Sequence, residues 1–264
     1  MKHTLLWLAW AAAITWTTGT RAADAPPTLV MRDFTDIVSP PDQNAYEAGI
    51  KSYNQCLAQH GFKYTWTAWV HETGDTYAYS YTTDPLPWSE YDAMQAAAKA
   101  CDSTSRSSIN PRLKSETSAF MEVHPELSHL PKSPGSNQPL IDMTHFIEVI
   151  YFKLKPGHQA HETFVSVAKK IADAAEKSKW PNYYAINEIR DGGSDAPDFI
   201  VVIPSASWAE LGKEPATPLW TMMESVYGKA DAAATRKSFN DALQDESAHI
   251  DSYSAELSYK ATGK

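Results

Sequence analysis

The sequence lacks the short motifs that identify the common enzyme classes. It contains no Gly-x-Ser-x-Gly, no phosphate-binding P-loop and no dinucleotide-binding Gly-x-Gly-x-x-Gly. After the first residues it has no apolar run of about 18, the length that would suggest a membrane helix. These absences argue against serine hydrolases of the nucleophile-elbow type, P-loop nucleotide hydrolases, dinucleotide-dependent enzymes and integral membrane proteins.

Basic residues are also few. There are 23 Lys and Arg against 32 Asp and Glu, a formal net charge of −9. An acidic chain repels phosphate backbones and anionic headgroups. We therefore expect neither nucleic acid nor a membrane surface as a partner.

The N-terminal residues have the layout of a secretory signal. Lys2 precedes the apolar run Leu5 to Ile14, and the small residues Ala22 and Ala23 follow Arg21. This pattern predicts a signal peptide over residues 1–23 and an exported protein, periplasmic or secreted. An uncleaved N-terminal anchor is the alternative. Removing Lys2 and Arg21 would take the charge from −9 to about −11.

Only two cysteines are present, Cys56 and Cys101. An even pair in an exported chain predicts one disulfide. It would close a loop of roughly 45 residues and contribute on the order of 4 kcal/mol in the chain-entropy model. Two unpaired buried thiols are the alternative.

The order of predicted elements occurs twice along the chain. Residues 28–124 and residues 143–260 each show the pattern β-α-β-β-α-β, typical of a ferredoxin-like unit. Residues 125–142 between them are rich in Pro, Ser and Gly and predict a linker.

Matching positions favour duplication. Pro41 and Pro156 each begin the first predicted helix, where proline is well tolerated. Trp88-Ser-Glu-Tyr and Trp208-Ala-Glu-Leu each open the second helical region. A sheet with helices on one face leaves its other face apolar and exposed unless a second sheet covers it.

Two such units packed sheet to sheet resemble the dimeric α/β-barrel superfamily, here as a tandem pair in one chain. The stretches KPGHQAHETF, DGGSDAPDFIVVIPSASWAEL and MMESVYGKADAA resemble exported bacterial members of it. The resemblance implies an α+β fold in which two ferredoxin-like repeats form a pseudo-dimeric barrel. It also implies a range of functions, including cofactor-independent monooxygenases, small-molecule isomerases and haem enzymes. No motif for an axial haem histidine matches, so no cofactor is expected and no functional residue is carried over.

His158 and His161, followed by Glu162, are three residues apart. That spacing puts both histidines on one side of a helix. A metal site would still need a third ligand and groups that orient the ligands. We interpret the motif as a solvated helix start and expect no metal there.

Strand alternation indicates weak catalytic candidates. Glu148 shares a face with Phe146, Ile150, Phe152 and Leu154, and Asn187 shares one with Tyr183, Ala185 and Ile189. Both faces appear in the pattern as buried and helix-covered, so Glu148 is a candidate general base and Asn187 a candidate for orienting a carbonyl. His145, at the start of its strand, is a further acid or base candidate. A purely structural role is the alternative for each.

The opposite strand faces predict a ligand pocket. Trp69, His71 and Tyr184 are candidate ligand-binding residues there, with Glu188 and Arg190 on the same predicted face. They belong to strands rich in aromatic residues: Trp66, Trp69, Tyr77, Tyr79, Tyr81, Tyr183 and Tyr184. Three functions stay open: a binding protein for a small apolar or aromatic molecule, an oxygenase or isomerase without a cofactor, and a scaffold with a packed barrel. Self-association is not predicted either way.

Overall fold

The computed structural model describes residues 27–131 and 144–261. The predicted signal peptide, residues 1–23, lies outside the described residues. In the described part the strands are β1 (Leu29–Val38), β2 (Trp66–His71), β3 (Ala78–Thr83), β4 (Leu86–Pro87), β5 (Leu113–Val123), β6 (Phe146–Leu154), β7 (Ala185–Arg190), β8 (Phe199–Ser205) and β9 (Leu243–Tyr259). The α-helices are α1 (Gln43–Gln59), α2 (Tyr91–Ala98), α3 (Asp102–Thr104), α4 (His158–Ser178), α5 (Trp208–Leu211), α6 (Leu219–Tyr227) and α7 (Lys229–Ala242).

Eight strands form a closed antiparallel barrel. Their order is β3-β2-β9-β6-β8-β7-β5-β1, and β1 pairs back to β3 to close the ring. The short β4 adds outside the ring, at the end of β1. The predicted α+β barrel is confirmed at this level.

The two halves of the chain meet along two seams of the barrel. In the first half the strands stand in the order β5-β1-β3-β2, and in the second half in the order β9-β6-β8-β7. The first seam pairs β2 with β9, and the second pairs β5 with β7. Closure leaves no free edge on the main ring.

The helices cover the outside of the barrel because each has an apolar stripe at helical spacing. On α4 this stripe includes Phe164, Val167, Ala168 and Ile171. It packs with α6, α7 and the outer face of the sheet, where Phe152, Leu154, Ile186 and Phe199 lie. Over the first half, α1 packs Tyr46 and Ile50 against Tyr79 and Tyr81 of β3. The barrel therefore has an apolar layer outside its wall in both halves.

The interior of the barrel is a separate core. Trp69, Met121, Ile147, Val149 and Ile200 form a buried cluster contributed by four strands, β2, β5, β6 and β8. Met31, Tyr151, Ile189, Val202 and Tyr253 pack against it, partly buried. Because successive side chains on a strand point to opposite faces, these residues identify which positions point inward.

The predicted disulfide is confirmed. Cys56 on α1 is bonded to Cys101 in the turn after α2, with the Cα atoms 5.9 Å apart. Disulfides persist in oxidising compartments. None of the helices in the described residues combines the length and apolar character that crossing a bilayer requires.

Two boundaries differ from the prediction. The alternating stretch from Ala248 to Lys260 predicts the closing strand of the second half, but the last helix ends at Ala242 and β9 already begins at Leu243, five residues earlier. Part of the predicted linker is packed: Leu127 is fully buried against the second half, and His129 bridges to Tyr184. Residues 132–142 of that linker lie outside the described residues. Both differences arise from tertiary contacts that a local pattern does not contain.

Candidate functional site

One end of the barrel interior is polar. On β2, His71 follows Trp69 on the inward face, and on β9, His249 and Asp251 precede Tyr253 on the inward face. The two strands pair so that His71 lies opposite Asp251 across the first seam. We call His71, His249 and Asp251 the barrel cluster. Its side chains are 8 %, 11 % and 3 % exposed, respectively.

The three side chains converge on one carboxylate oxygen. Asp251 Oδ1 lies 3.0 Å from His249 Nε2 and 3.8 Å from His71 Nε2. The two imidazole rings stack with centroids 4.2 Å apart. The His249 ring nevertheless makes no hydrogen bond to Asp251, because the two groups are close but misaligned. Both Asp251 Oδ1 and His249 Nε2 are buried without a hydrogen-bond partner.

The same nitrogen of His71 also contacts a hydroxyl group. His71 Nε2 lies 3.0 Å from Ser80 Oγ, and Ser80 Oγ lies 3.1 Å from Thr35 Oγ1. These hydroxyls belong to β3 and β1, so three strands fix the orientation of one ring. Burial lowers the pKa of His71 and favours the neutral imidazole.

Two further ionisable groups belong to this end of the barrel. Burial raises the pKa of the Asp33 carboxyl to about 6; a hydrogen bond from Thr82 opposes this rise, and the charge of Asp251 adds to it. Burial also raises the pKa of Tyr151, whose ring is 5.3 Å from that of His249. Such a concentration of buried ionisable groups is typical of functional sites.

A second group of histidines and carboxylates lies on the outside of the second seam. It consists of Glu122, His124, His161, Glu188 and Arg190, which we call the surface cluster. Glu188 is at its centre: its Oε2 is 3.2 Å from His124 Nε2, and its Oε1 is 3.2 Å from His161 Nε2 and 2.8 Å from an Arg190 nitrogen.

The surface cluster is an ion-pair network with its partners in place. The hydrogen bond from His124 lowers the pKa of Glu188 to about 2, and the same bond raises the pKa of His124 to about 9. Arg190 also reaches Glu122 at 3.2 Å. These shifts describe mutual stabilisation of opposite charges.

The candidate ligand residues separate into two groups. Trp69 and His71 point into the barrel as expected. Tyr184 does not, because it packs with Trp180 in the helix-covered core. Glu188 and Arg190 also lie on the outer face, so the face predicted for β7 is wrong. Both faces of β7 carry apolar residues, since Ile186 points outward and Ile189 points inward. The alternation of residue types alone therefore does not decide which face of β7 points into the barrel.

The catalytic candidates do not form one site. Glu148 lies on the outer face with Ile150 and Phe152, as expected. Asn187 is buried, but it shares the inward face with Ile189, and β8 separates its strand from β6. His145 is exposed just before β6. The expected pairing of Glu148 with Asn187 is therefore wrong, because the two side chains lie on opposite faces of the barrel wall.

The histidine motif at the start of α4 and the strand aromatics lie in different parts of the molecule. His158 is exposed at the start of α4, whereas His161 belongs to the surface cluster. Of the strand aromatics, only Trp69 belongs to the interior core, because Trp66, Tyr79 and Tyr81 pack in cores outside the barrel wall and Tyr77 and Tyr183 are exposed.

Sequence reasoning missed Asp33, His249 and Asp251. The alternation His249-x-Asp251-x-Tyr253 carries a usable signal, since it puts three side chains on one strand face. Their meeting with His71 depends on pairing between residues 180 positions apart, which no local pattern contains.

No family model matches the chain, and no curated protein matches it. Solved structures do. An anthrone oxidase-like protein aligns with a TM-score of 0.55 and 11 % identity, over 90 % of this chain and 95 % of that one. A candidate monooxygenase from Lactobacillus acidophilus aligns with a TM-score of 0.51 and 9 % identity, over 89 % of this chain and 97 % of that one. A mutant chlorite dismutase from Candidatus Nitrospira defluvii aligns with a TM-score of 0.51 and 10 % identity, over 86 % of this chain and 92 % of that one.

The chain has the fold of the dimeric α/β-barrel proteins. At these identities the likeness concerns the fold alone, and function must be argued from the site.

The superfamily includes haem enzymes, so the described residues can be tested against that group. A haem needs a wide apolar slot with an axial ligand directed into it. On the helix-covered side of the second half, Phe152, Phe164 and Phe199 fill the space in mutual contact. The barrel interior is filled by its own core around Trp69. Residues 27–131 and 144–261 therefore do not fit a haem group.

Proposed function

We propose that the protein is a small-molecule enzyme of the oxygenase type, with its active centre at the polar end of the barrel interior. One observation carries this proposal: His71, His249, Asp251 and Asp33 are gathered inside the barrel, with two buried polar atoms unpaired. A buried polar atom without a partner costs about 1–3 kcal/mol. Buried polar groups that destabilise the fold in this way are typical of functional sites.

The residues around the barrel cluster indicate the class of substrate, which would enter at the polar end because the core around Trp69 fills the rest of the interior. Trp69 belongs to the apolar core and contacts Tyr253, and Tyr151 packs against this core and contacts His249. An aromatic molecule with an acidic C–H or O–H group suits these surroundings, because aromatic side chains pack its ring while polar groups meet its oxygen. The shared fold with an anthrone oxidase-like protein and a candidate monooxygenase supports the same class.

The proposed reaction needs no external reductant. An activated methylene group gives up a proton to a base, the resulting carbanion reacts with O2, and loss of water leaves a carbonyl group. The balance is RCH2R′ + O2 → R(C=O)R′ + H2O. Asp33 is the proposed base, because a carboxyl with a pKa near 6 is ionised at neutral pH and still accepts a proton readily.

The test uses oxygen uptake with 1,8-dihydroxy-9-anthrone as the probe. We expect the mature protein to accelerate uptake, and D33N to lower the enzymatic rate by about 100-fold, a typical loss for a general base. D36N is the matched control, because Asp36 is also on β1, and burial raises its pKa to about 6 as well, but it faces outward toward Tyr46. Equal rates for wild type, D33N and buffer would contradict the proposal and favour a non-catalytic binding protein or scaffold.

We further propose that the protein is exported and that its halves arose by duplication. The disulfide supports export, because such bonds are rare in the cytosol. The same strand order in each half supports duplication. The mass of the protein from its host's exported fraction tests export: a chain starting near Asp24 is expected, and a full-length cytosolic chain would contradict it.

A further inference from the structure

We propose that His71, His249 and Asp251 hold a divalent transition-metal ion inside the barrel. The proposal starts from the unpaired atoms. Asp251 Oδ1 and His249 Nε2 are both buried, both lack a hydrogen-bond partner, and they lie 3.0 Å apart. A cation between them would satisfy both atoms when the imidazole nitrogen carries no proton.

The distances fit a metal after small movements. With metal–ligand bonds of about 2.1 Å, neighbouring ligand atoms lie roughly 3.0 Å apart at 90° and roughly 3.4 Å apart at the tetrahedral angle. The separations to Asp251 Oδ1 are 3.0 Å and 3.8 Å, and the ligand atoms of all three residues lie within 4.8 Å of one another. The pair at 3.0 Å already has the separation expected at 90°, and the pair at 3.8 Å would have to close by roughly 0.4–0.8 Å through movement of the His71 ring.

The donor set indicates the class of ion. Two imidazoles and one carboxylate suit first-row metals such as Fe²⁺, Co²⁺ and Zn²⁺ better than Ca²⁺ or Mg²⁺, which prefer oxygen ligands. Three protein ligands also leave coordination positions open for water or a substrate oxygen.

Two neighbouring groups affect the site. Ser80 Oγ contacts the same His71 Nε2 that lies 3.8 Å from Asp251 Oδ1, so Ser80 would have to release this nitrogen, keeping Thr35 as its own partner, for His71 to bind the ion through Nε2. The carboxylate of Asp33 adds negative charge nearby, and it interacts with both Asp251 and His249. A cation would offset the charges of both carboxylates in the interior.

Two other groups in the described residues have metal-ligand composition but carry no such inference. Cys56 and Cys101 stand near His60, but their sulfurs are bonded to each other. Glu122, His124 and Glu188 meet at the surface cluster, but Arg190 already pairs with both of these carboxylates. Only the barrel cluster among these three has unpaired buried atoms.

The experiment is a titration of metal-free mature protein with Co²⁺, followed by visible d–d absorption, by thermal unfolding and by native mass with Zn²⁺. We expect one ion per chain, and a rise in Tm of about 5 °C when free Co²⁺ is 100 times Kd. D251N and H249Q should weaken binding by at least about 100-fold, and D251E should retain part of it. E188Q is the matched control from the surface cluster and should bind normally.

The outcomes separate this proposal from the proposed activity. If wild type shows no absorption band, no rise in Tm and no added mass, the metal site is refuted, and this conclusion does not depend on whether D251N folds. Loss of binding in E188Q with retention in D251N would also refute it. Oxygen uptake by the metal-free protein would support the proposed activity and show that it does not need the ion. Metal binding without oxygen uptake would refute the proposed activity and leave the metal site standing.

Discussion

The two seams between the halves of the barrel carry similar residues in opposite arrangements. At the first seam, histidines and aspartate point inward and include buried atoms without partners. At the second seam, the inward pairs are Met121 opposite Ile189 and Val123 opposite Asn187, with no charged residue among them, and the histidines and glutamates point outward, where Arg190 joins them. The same residue types therefore form a stabilising network on one seam and an incomplete polar site on the other.

The difference separates stabilising groups from functional ones. A charge with its partners in place strengthens the fold, whereas a buried polar group without a partner weakens it. Substitutions in the surface cluster should therefore lower stability, and apolar replacements in the barrel cluster should not. The following predictions test this contrast, from the largest expected effect to the smallest.

Replacing Glu188 by Gln should have the largest effect on stability. It weakens contacts to His124, His161 and Arg190 at once, and we expect a loss of about 3 kcal/mol. The pKa of Glu188 is lowered from 4.5 to about 2, so its contribution is present above pH 4.5 and is lost as pH falls toward 2. The pKa of His124 is raised from 6.5 to about 9, so its contribution is full below pH 6.5 and is lost through pH 9.

Urea unfolding of wild type and E188Q between pH 3 and pH 10 measures this difference. It should be largest between about pH 4.5 and 6.5, where both contributions are present. A difference that does not change with pH would mean that the network is not held by these charges.

The double variant H249L/D251V should fold with unchanged or higher stability, by up to about 2 kcal/mol, because it replaces both atoms of the 3.0 Å contact and leaves His71 with Ser80. Replacing both members of a buried polar pair by apolar residues is often neutral or stabilising. Thermal unfolding of the metal-free protein measures the effect, and a loss of several kcal/mol would show that the barrel cluster is needed for folding.

Replacing Asp33 by Asn should stabilise the metal-free protein at high pH. The folded pKa of Asp33 is raised from 3.8 to about 6, so wild type loses stability relative to D33N as pH rises through this interval. We expect D33N to be more stable by about 1–2 kcal/mol at pH 8 and equal to wild type below pH 4. Denaturant unfolding in EDTA at pH 8 and below pH 4 tests this. An equal difference in stability between D33N and wild type at the two pH values would count against a raised pKa of Asp33.

The smallest effects should come from the histidine motif at the start of α4. H161Q removes one contact of Glu188, and we expect a loss of about 0.5–1 kcal/mol. H158Q alters an exposed side chain and should change stability by less than about 0.5 kcal/mol. Thermal unfolding of the two variants side by side gives the comparison, and equal losses would mean that His161 does not support the surface cluster.

Local patterns predicted much of the fold. Alternating strands and helix-starting prolines predicted strands and helices, two cysteines predicted one disulfide, and the resemblance to the dimeric α/β-barrel superfamily implied the barrel. The structure confirms the barrel and the disulfide. Sequence reasoning also directed Trp69 and His71 into the barrel correctly. It failed for Tyr184, because β7 has apolar residues on both faces, and for the last helix, which ends at Ala242 where β9 begins to pair with β6.

The sequence by itself determined the elements, the acidic charge and the cysteine pair, because these depend on residue type and near neighbours. Only the tertiary structure decided that His71 meets Asp251 and His249 inside the barrel, while His124 and His161 meet Glu188 outside it. Strand pairing across the seams brings together residues far apart in the chain, and the parity of each strand decides which face they share. The candidate site at the first seam therefore forms only when β2 pairs with β9 and the barrel closes.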